Sequence, residues 1–277
     1  MIIKGPPAGF YPEDKDSLLH VLKNFDNNAD ISGFKDLFSN LNGIIVPHAG
    51  YVYSGQTAAY GFKLAKEYAK NYKRVFIFAP SHYYFFNGVV ITKNVFQTPL
   101  GLVETDKKIC DKLLKNYWAA KEEVVHAKEH SLLVQIPFIQ YFIGDLKIIP
   151  SVISGNLTFK EWEEIAKDII SSLGEDIKTT LFVVSSDLYH GENYEECIKK
   201  DEKTINGILD DSSEVFFEKA KGEDYMACGY LPITLFKIIS EKVDFSRKFL
   251  LYRTNSNDVM GEIGGYVVGY TSIGFGV

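Results

Sequence analysis

Three histidines and an aspartate draw attention because each follows the end of an apolar run, and a cysteine because it stands just before a helix start. His48 comes directly after Gly43-Ile44-Ile45-Val46-Pro47. His82 follows Arg74-Val75-Phe76-Ile77-Phe78-Ala79-Pro80-Ser81, which repeats the device of apolar run, proline and histidine. In the third case Thr180-Leu181-Phe182-Val183-Val184 ends in Ser185-Ser186, followed by Asp187 and, three residues on, His190. Cys228 precedes Gly229-Tyr230-Leu231-Pro232, where Pro232 suits the first turn of a helix. A cysteine at such a helix start meets the dipole and free N–H groups, which favour the thiolate.

Two neutral imidazoles plus one anionic ligand make a facial site for Fe(II), and two His with one Cys also suit zinc or copper. An Asp-x-x-His turn can bring a carboxylate to an imidazole, fixing its tautomer and raising its basicity. A helix cap by Ser186 or Asp187 is the plainer alternative. Ser186, Asp187 and His190 are also the makings of a serine hydrolase, but no Gly-x-Ser-x-Gly elbow occurs at any serine. No Gly-rich phosphate loop is present either.

The elements that must position these residues are strands and helices in alternation. Short apolar runs bounded by turn residues predict buried strands, with His48, His82 and His190 at their carboxyl ends, where open α/β sheets gather ligands. Ser54 is expected to cap a helix over about 55 to 70 with Ala58, Ala59, Phe62 and Ala65 on one face. Val89-Val90-Ile91-Thr92 and the stretch from Phe96 to Gly101 predict a hairpin or an extended excursion. Helical spacing covers residues 106 to 120 and 159 to 173, and Leu146 to Ser154 and Gly264 to Tyr270 read as strands. Glu129 and His130 stand before an apolar helix that Ser131 or a neighbour could cap. The aromatic cluster Tyr83-Tyr84-Phe85-Phe86 walls a pocket or packs under a loop. His20 and His126 have no partner implied by spacing and are expected at the surface. The pattern predicts a single α/β domain over 1–277, with a mainly parallel or mixed central sheet and helices on both faces.

Composition narrows the function classes. A net charge of −6 with no basic stripe argues against nucleic-acid binding. Apolar residues at 46% and charged residues at 24% describe an ordinary globular protein. Cys110, Cys197 and Cys228 form neither a close pair nor a zinc-knuckle spacing, which points to a reducing cytoplasm. Cys110 and Cys197 fall in helical segments and read as packing. No secretory signal is visible, and no apolar run approaches the roughly 18 residues of a membrane span.

Pro47-His48-Ala49-Gly50-Tyr51, Pro80-Ser81-His82, Glu129-His130-Ser131, Ser185-Ser186-Asp187-Leu188-Tyr189-His190 and Cys228-Gly229-Tyr230-Leu231-Pro232-Ile233 occur in the order seen in the Memo family. Ala8-Gly9-Phe10-Tyr11-Pro12 and the closing Gly-Tyr strand complete the match, so the resemblance covers nearly the whole chain. It implies a fold similar to the class III extradiol dioxygenases, which are non-haem iron enzymes. It implies that His48 and His82 bind a metal, most simply iron, with copper and zinc as alternatives. Cys228 would take the position of a carboxylate ligand, a departure from the dioxygenase pattern. His190 would be the acid/base residue with Asp187 on the same turn, and Glu129, His130 and Tyr51 would line or support the pocket. The resemblance further implies a role as component B of the AmmeMemoRadiSam system, beside a radical-SAM protein, an AMMECR-type partner and an unknown small molecule. The expected function is a metal-dependent oxidoreductase. The alternatives are a metal-binding scaffold without turnover and, third, a metal-assisted hydrolase with His190 as general base.

Overall fold

The computed structural model describes residues 1–6, 8–262 and 264–277. Its centre is a mixed sheet whose strands are β2 (Leu41–Val46), β3 (Arg74–Pro80), β4 (Gly88–Ile91), β7 (Ala119–Ala120), β8 (Lys147–Ser154), β9 (Thr180–Ser185), β10 (His190–Gly191), β11 (Arg247–Asn255) and β12 (Val267–Gly276). The order is β10-β12-β2-β9-β3-β8-β4-β7, with β11 also paired to β12. β2, β9, β3 and β8 run parallel, while β12 and β4 flank them antiparallel. A separate three-stranded sheet joins β1 (Ile2–Lys4), β5 (Val95–Thr98) and β6 (Gly101–Val103).

Alternation along the central strands explains why the sheet is covered twice. Ile44, Val46, Val75, Ile77, Ile148, Val152, Leu181 and Val183 enter one apolar core with the helices Lys15–Asn28 and Tyr51–Glu67. Ile45, Phe76, Phe78, Ile149, Ile153, Phe182 and Val184 enter a second core with the helices Phe159–Leu173 and Tyr230–Lys242. Successive side chains point to opposite faces, so a run apolar at every position must be buried on both. The expected single α/β domain with helices on both faces is the fold observed.

Several local expectations are corrected. The helix after His48 begins at Tyr51 with Gly50 as its N-cap, and the Ser54 hydroxyl donates back to the Ala49 carbonyl instead of capping. Val89–Ile91 and the following extended run are not one hairpin: β4 pairs with β8, whereas β5 joins the small sheet. The helix expected over 106 to 120 spans only Lys107–Leu113, because the chain then turns so that the Trp118 carbonyl can accept the Val89 N–H. His126 is fully buried against the Glu122 and Pro150 carbonyls, not at the surface.

Candidate metal centre

His48, His82 and Asp187 leave the carboxyl ends of β2, β3 and β9, where Glu129, His130 and Cys228 join them. His48 leaves β2 buried, and its backbone N–H donates to Asp187 Oδ1 at 2.7 Å. β9 is locked beside it, since Ser186 N–H donates to the Val46 carbonyl. His82 leaves β3 exposed, and both its backbone N–H and its Nδ1 meet the Glu129 carboxylate, at 2.7 and 2.9 Å. Glu129 is itself fully buried and caps the short helix His130–Leu133 through the Ser131 N–H. That helix delivers His130 to the same place, with the Phe10 ring stacked on it at 4.8 Å and the Tyr83 hydroxyl 3.3 Å from its Nδ1.

The three rings converge. Centroids lie 5.1 Å apart for His48 and His82, 5.5 Å for His48 and His130, and 4.6 Å for His82 and His130. One ligand atom from each lies within 4.8 Å of the other two, a spacing compatible with a shared ion. His130, expected only to line or support the pocket, thus stands among the candidate donors. Cys228 reaches the group through His48, with Sγ 3.2 Å from Nε2. The Asp187 N–H donates to this sulfur at 3.3 Å, and the Cys228 N–H returns to the Asp187 carbonyl. The close approach depends on Gly229, where any Cβ would strike the Ser185 carbonyl and the Ser186 side chain. Tyr51 is buried and donates its hydroxyl to the Val134 carbonyl.

Electrostatics favour neutral ring donors. Burial, reinforced by the neighbouring histidines, pushes the His48 imidazole well below its ordinary range, and burial followed by the His82 charge does the same for His130. Burial opposes ionisation of Glu129, yet the side-chain and backbone bonds from His82 hold its carboxyl below the usual range. Asp187 goes the other way, raised by burial despite the His48 N–H. At Cys228, burial and then the Asp187 charge raise the thiol above its ordinary range, opposing the thiolate-favouring effect of the helix start. Neutral imidazoles with a sulfur alongside are a transition-metal donor set.

His190 does not join this group. Its exposed ring is fixed by the Leu188 carbonyl, which accepts from Nδ1 at 2.9 Å. Asp187 accepts the His48 N–H, and the His190 ring bonds the Leu188 carbonyl instead of the expected Asp187 carboxylate. Two functional neighbours escaped the sequence reading. Ser185 Oγ lies 2.8 Å from His48 Nδ1, and Gln135 Nε2 lies 3.0 Å from Ser185 Oγ. The signal for Gln135 was a lone amide inside Leu132-Leu133-Val134-Gln135-Ile136; Ser185 had none. A cavity of about 210 Å³ opens beside Cys228, with Ser81, Phe85, Ser154, Tyr230 and Leu231 in its walls.

Comparison with known proteins gives a consistent result. The profile of the family described as Memo-like protein matches residues 7–274. A MEMO1 family protein of Pyrobaculum arsenaticum is 32% identical over 271 residues, covering 96% of this chain and 95% of its own. One from Methanococcoides burtonii is 36% identical over 243 residues, covering 87% and 89%, and one from Aquifex aeolicus is 34% identical over 260 residues, covering 91% of each. Among solved structures, the uncharacterized protein JW3007 from Escherichia coli K12 shares the fold. It superposes with a TM-score of 0.52 at 10% identity, covering 83% of this chain and 99% of that one.

Proposed function

We propose that this chain, which belongs to the Memo-like protein family, holds one transition-metal ion between His48, His82 and His130, with Cys228 as a sulfur donor beside His48, and works as an oxidoreductase. The observation that carries the reading is the convergence of three imidazoles from separate elements to within 4.8 Å. Glu129 and Ser185 each engage one ring nitrogen, on His82 and His48, so that the other nitrogens can face a shared cation. Iron is the metal proposed first, on the resemblance to non-haem iron enzymes; zinc and copper accept the same donors. When bound, the ion would supply Lewis acidity and, if iron or copper, one-electron chemistry.

The chain's own residues have separable tasks. Glu129 orients the His82 ring and Asp187 anchors the His48 backbone. His190, at the exposed lip, is the proposed proton-transfer group. A scaffold that keeps its metal without turnover is the second reading, favoured by the lack of an Asp187 bond to the His190 ring. Proposed partners are a radical-SAM protein and an AMMECR-type protein, which supply or consume a small-molecule substrate. The proposed compartment is the cytoplasm, a reading supported by three free cysteines. No described helix is long and apolar enough to cross a membrane.

Metal content of protein purified without oxygen tests the centre. One ion per chain is expected, lost in His48→Ala, His82→Ala and His130→Ala while folding stays cooperative. Equal metal in wild type and all three variants would remove the centre. Turnover is then tested by oxygen uptake and new small-molecule masses with the radical-SAM partner present. His190→Ala should spare the metal and cost about 10²- to 10⁴-fold in rate. An unchanged rate would end its proton-transfer role.

A further inference from the structure

The buried polar groups behind His48 leave each hydrogen only one place to go. Gln135 is fully buried, with Nε2 2.9 Å from the Pro47 carbonyl and 3.0 Å from Ser185 Oγ. A carbonyl oxygen can only accept, so the amide atom facing Pro47 must be the nitrogen. Turning the amide over would press Oε1 against that carbonyl. The fold keeps this orientation although Gln135 Oε1 is left buried without a partner.

Ser185 Oγ lies 2.7 Å from the Ser131 carbonyl and gives its one proton there. Its lone pairs remain for two donors, and two polar atoms are in place: Gln135 Nε2, and His48 Nδ1 at 2.8 Å. With its proton already committed, Ser185 has none for the ring. His48 Nδ1 is therefore the donor. We infer that Gln135 and Ser185 are positioning residues that hold His48 as its Nδ1–H tautomer, leaving the Nε2 lone pair free beside Cys228 Sγ. Glu129, which can only accept while ionised, imposes the same tautomer on His82. The one segment from Glu129 to Gln135 thus orients both rings and contributes His130 as well. The purpose of this arrangement rests on the metal reading, but the proton assignment does not.

Nitrogen NMR of ¹⁵N-labelled, metal-free protein tests the assignment directly. Wild-type His48 should show a protonated Nδ1 and an unprotonated Nε2, and Ser185→Ala should move it to a tautomer mixture. Competition of Co²⁺ against a chelator supplies the second readout. Ser185→Ala and Gln135→Met should weaken binding about 10- to 100-fold, while Ser185→Thr, which keeps the hydroxyl, stays within about threefold. Protonated Nε2 in the wild type would overturn the inference, as would a folded Ser185→Ala variant with wild-type tautomer and affinity. If wild-type protein takes up no Co²⁺, the metal reading fails, and the NMR spectrum still decides the tautomer.

Discussion

Replacing Glu129 by Gln changes one atom at the most connected point of the site. The wild-type carboxylate is fully buried and accepts from His82 N–H at 2.7 Å, His82 Nδ1–H at 2.9 Å and Ser131 N–H at 3.3 Å, while the single Ser131 Oγ proton is divided between it at 2.9 Å and the Pro80 carbonyl at 2.8 Å. An amide of the same shape has one oxygen for all of them. With that oxygen toward His82 Nδ1 and Ser131, its NH₂ opposes the His82 backbone N–H. In the reverse orientation it opposes two N–H donors, His82 Nδ1–H and Ser131 N–H, so the first is preferred. Bonds to a charged acceptor contribute about 1.5–3 kcal/mol each, so losing one and weakening the others should lower stability by about 2–4 kcal/mol. That is within the roughly 5–15 kcal/mol of a typical domain, and the variant should still fold. Loss of the carboxylate behind the His82 ring should also weaken metal binding about 10- to 100-fold. Urea unfolding of metal-free protein measures the first quantity, and chelator competition the second. A variant matching wild type in both midpoint and affinity would refute the role of Glu129 as an ionised acceptor.

Other expectations rest on groups away from the cluster. Lys237 is fully buried and donates to the Ile208 carbonyl at 2.6 Å and the Asp211 carbonyl at 2.8 Å, satisfying the end of the helix Tyr194–Asp210. Lys237→Met should lower stability by about 2–4 kcal/mol, read by denaturant midpoint, because the carbonyls stay buried without donors. Burial lowers His126 from 6.5 to about 4, so the unfolded chain takes up a proton that the folded one refuses. The stability from neutral His126 is complete above pH 6.5 and is lost as pH falls to about 4, by about 3 kcal/mol. Unfolding midpoints of wild type and His126→Gln across that window should differ in slope; parallel curves would show that His126 does not titrate this way. Cys228→Ser should reduce metal content, whereas Cys110→Ala and Cys197→Ala, in buried helical positions, should leave it intact. Equal loss in all three would remove the special place of Cys228.

How much of this was legible depended on the range of the interaction. Strands β2, β3 and β9 were readable because burial on both faces makes every position apolar, and the turn residues after them gave away His48, His82 and Asp187. The resemblance located the remaining site residues but not their partners. His130 entered the candidate donor group because Glu129 turns to His82 and caps the next helix, a contact spanning 47 residues. Asp187 was free to serve His190 in the sequence, three residues away. In the fold, a donor 139 residues distant, the His48 N–H, occupies it. Cys228 shows how two local rules compete: the helix start favours a thiolate, and burial beside Asp187 opposes it. Gln135 and Ser185 were unreadable because their function lies in how neighbours share protons, which no spacing encodes.

The distance in sequence between Cys228 and His48, 180 residues, has a consequence for biosynthesis. A compact motif whose ligands lie close together can capture its ion early and fold around it. Here β2 and β3 emerge long before β9, and β12, which pairs with β2, comes later still. A nascent chain that has just passed His130 carries all three histidines but neither Ser185, which meets the His48 ring, nor Cys228, and such distant contacts close late and slowly during folding. Loading of the proposed centre would therefore be completed in the finished protein, set by the supply of metal rather than by translation. An ion at a hundred times its dissociation constant would then add about 2.7 kcal/mol to the native state alone. Occupancy would also decide how long each molecule survives the cell's proteases.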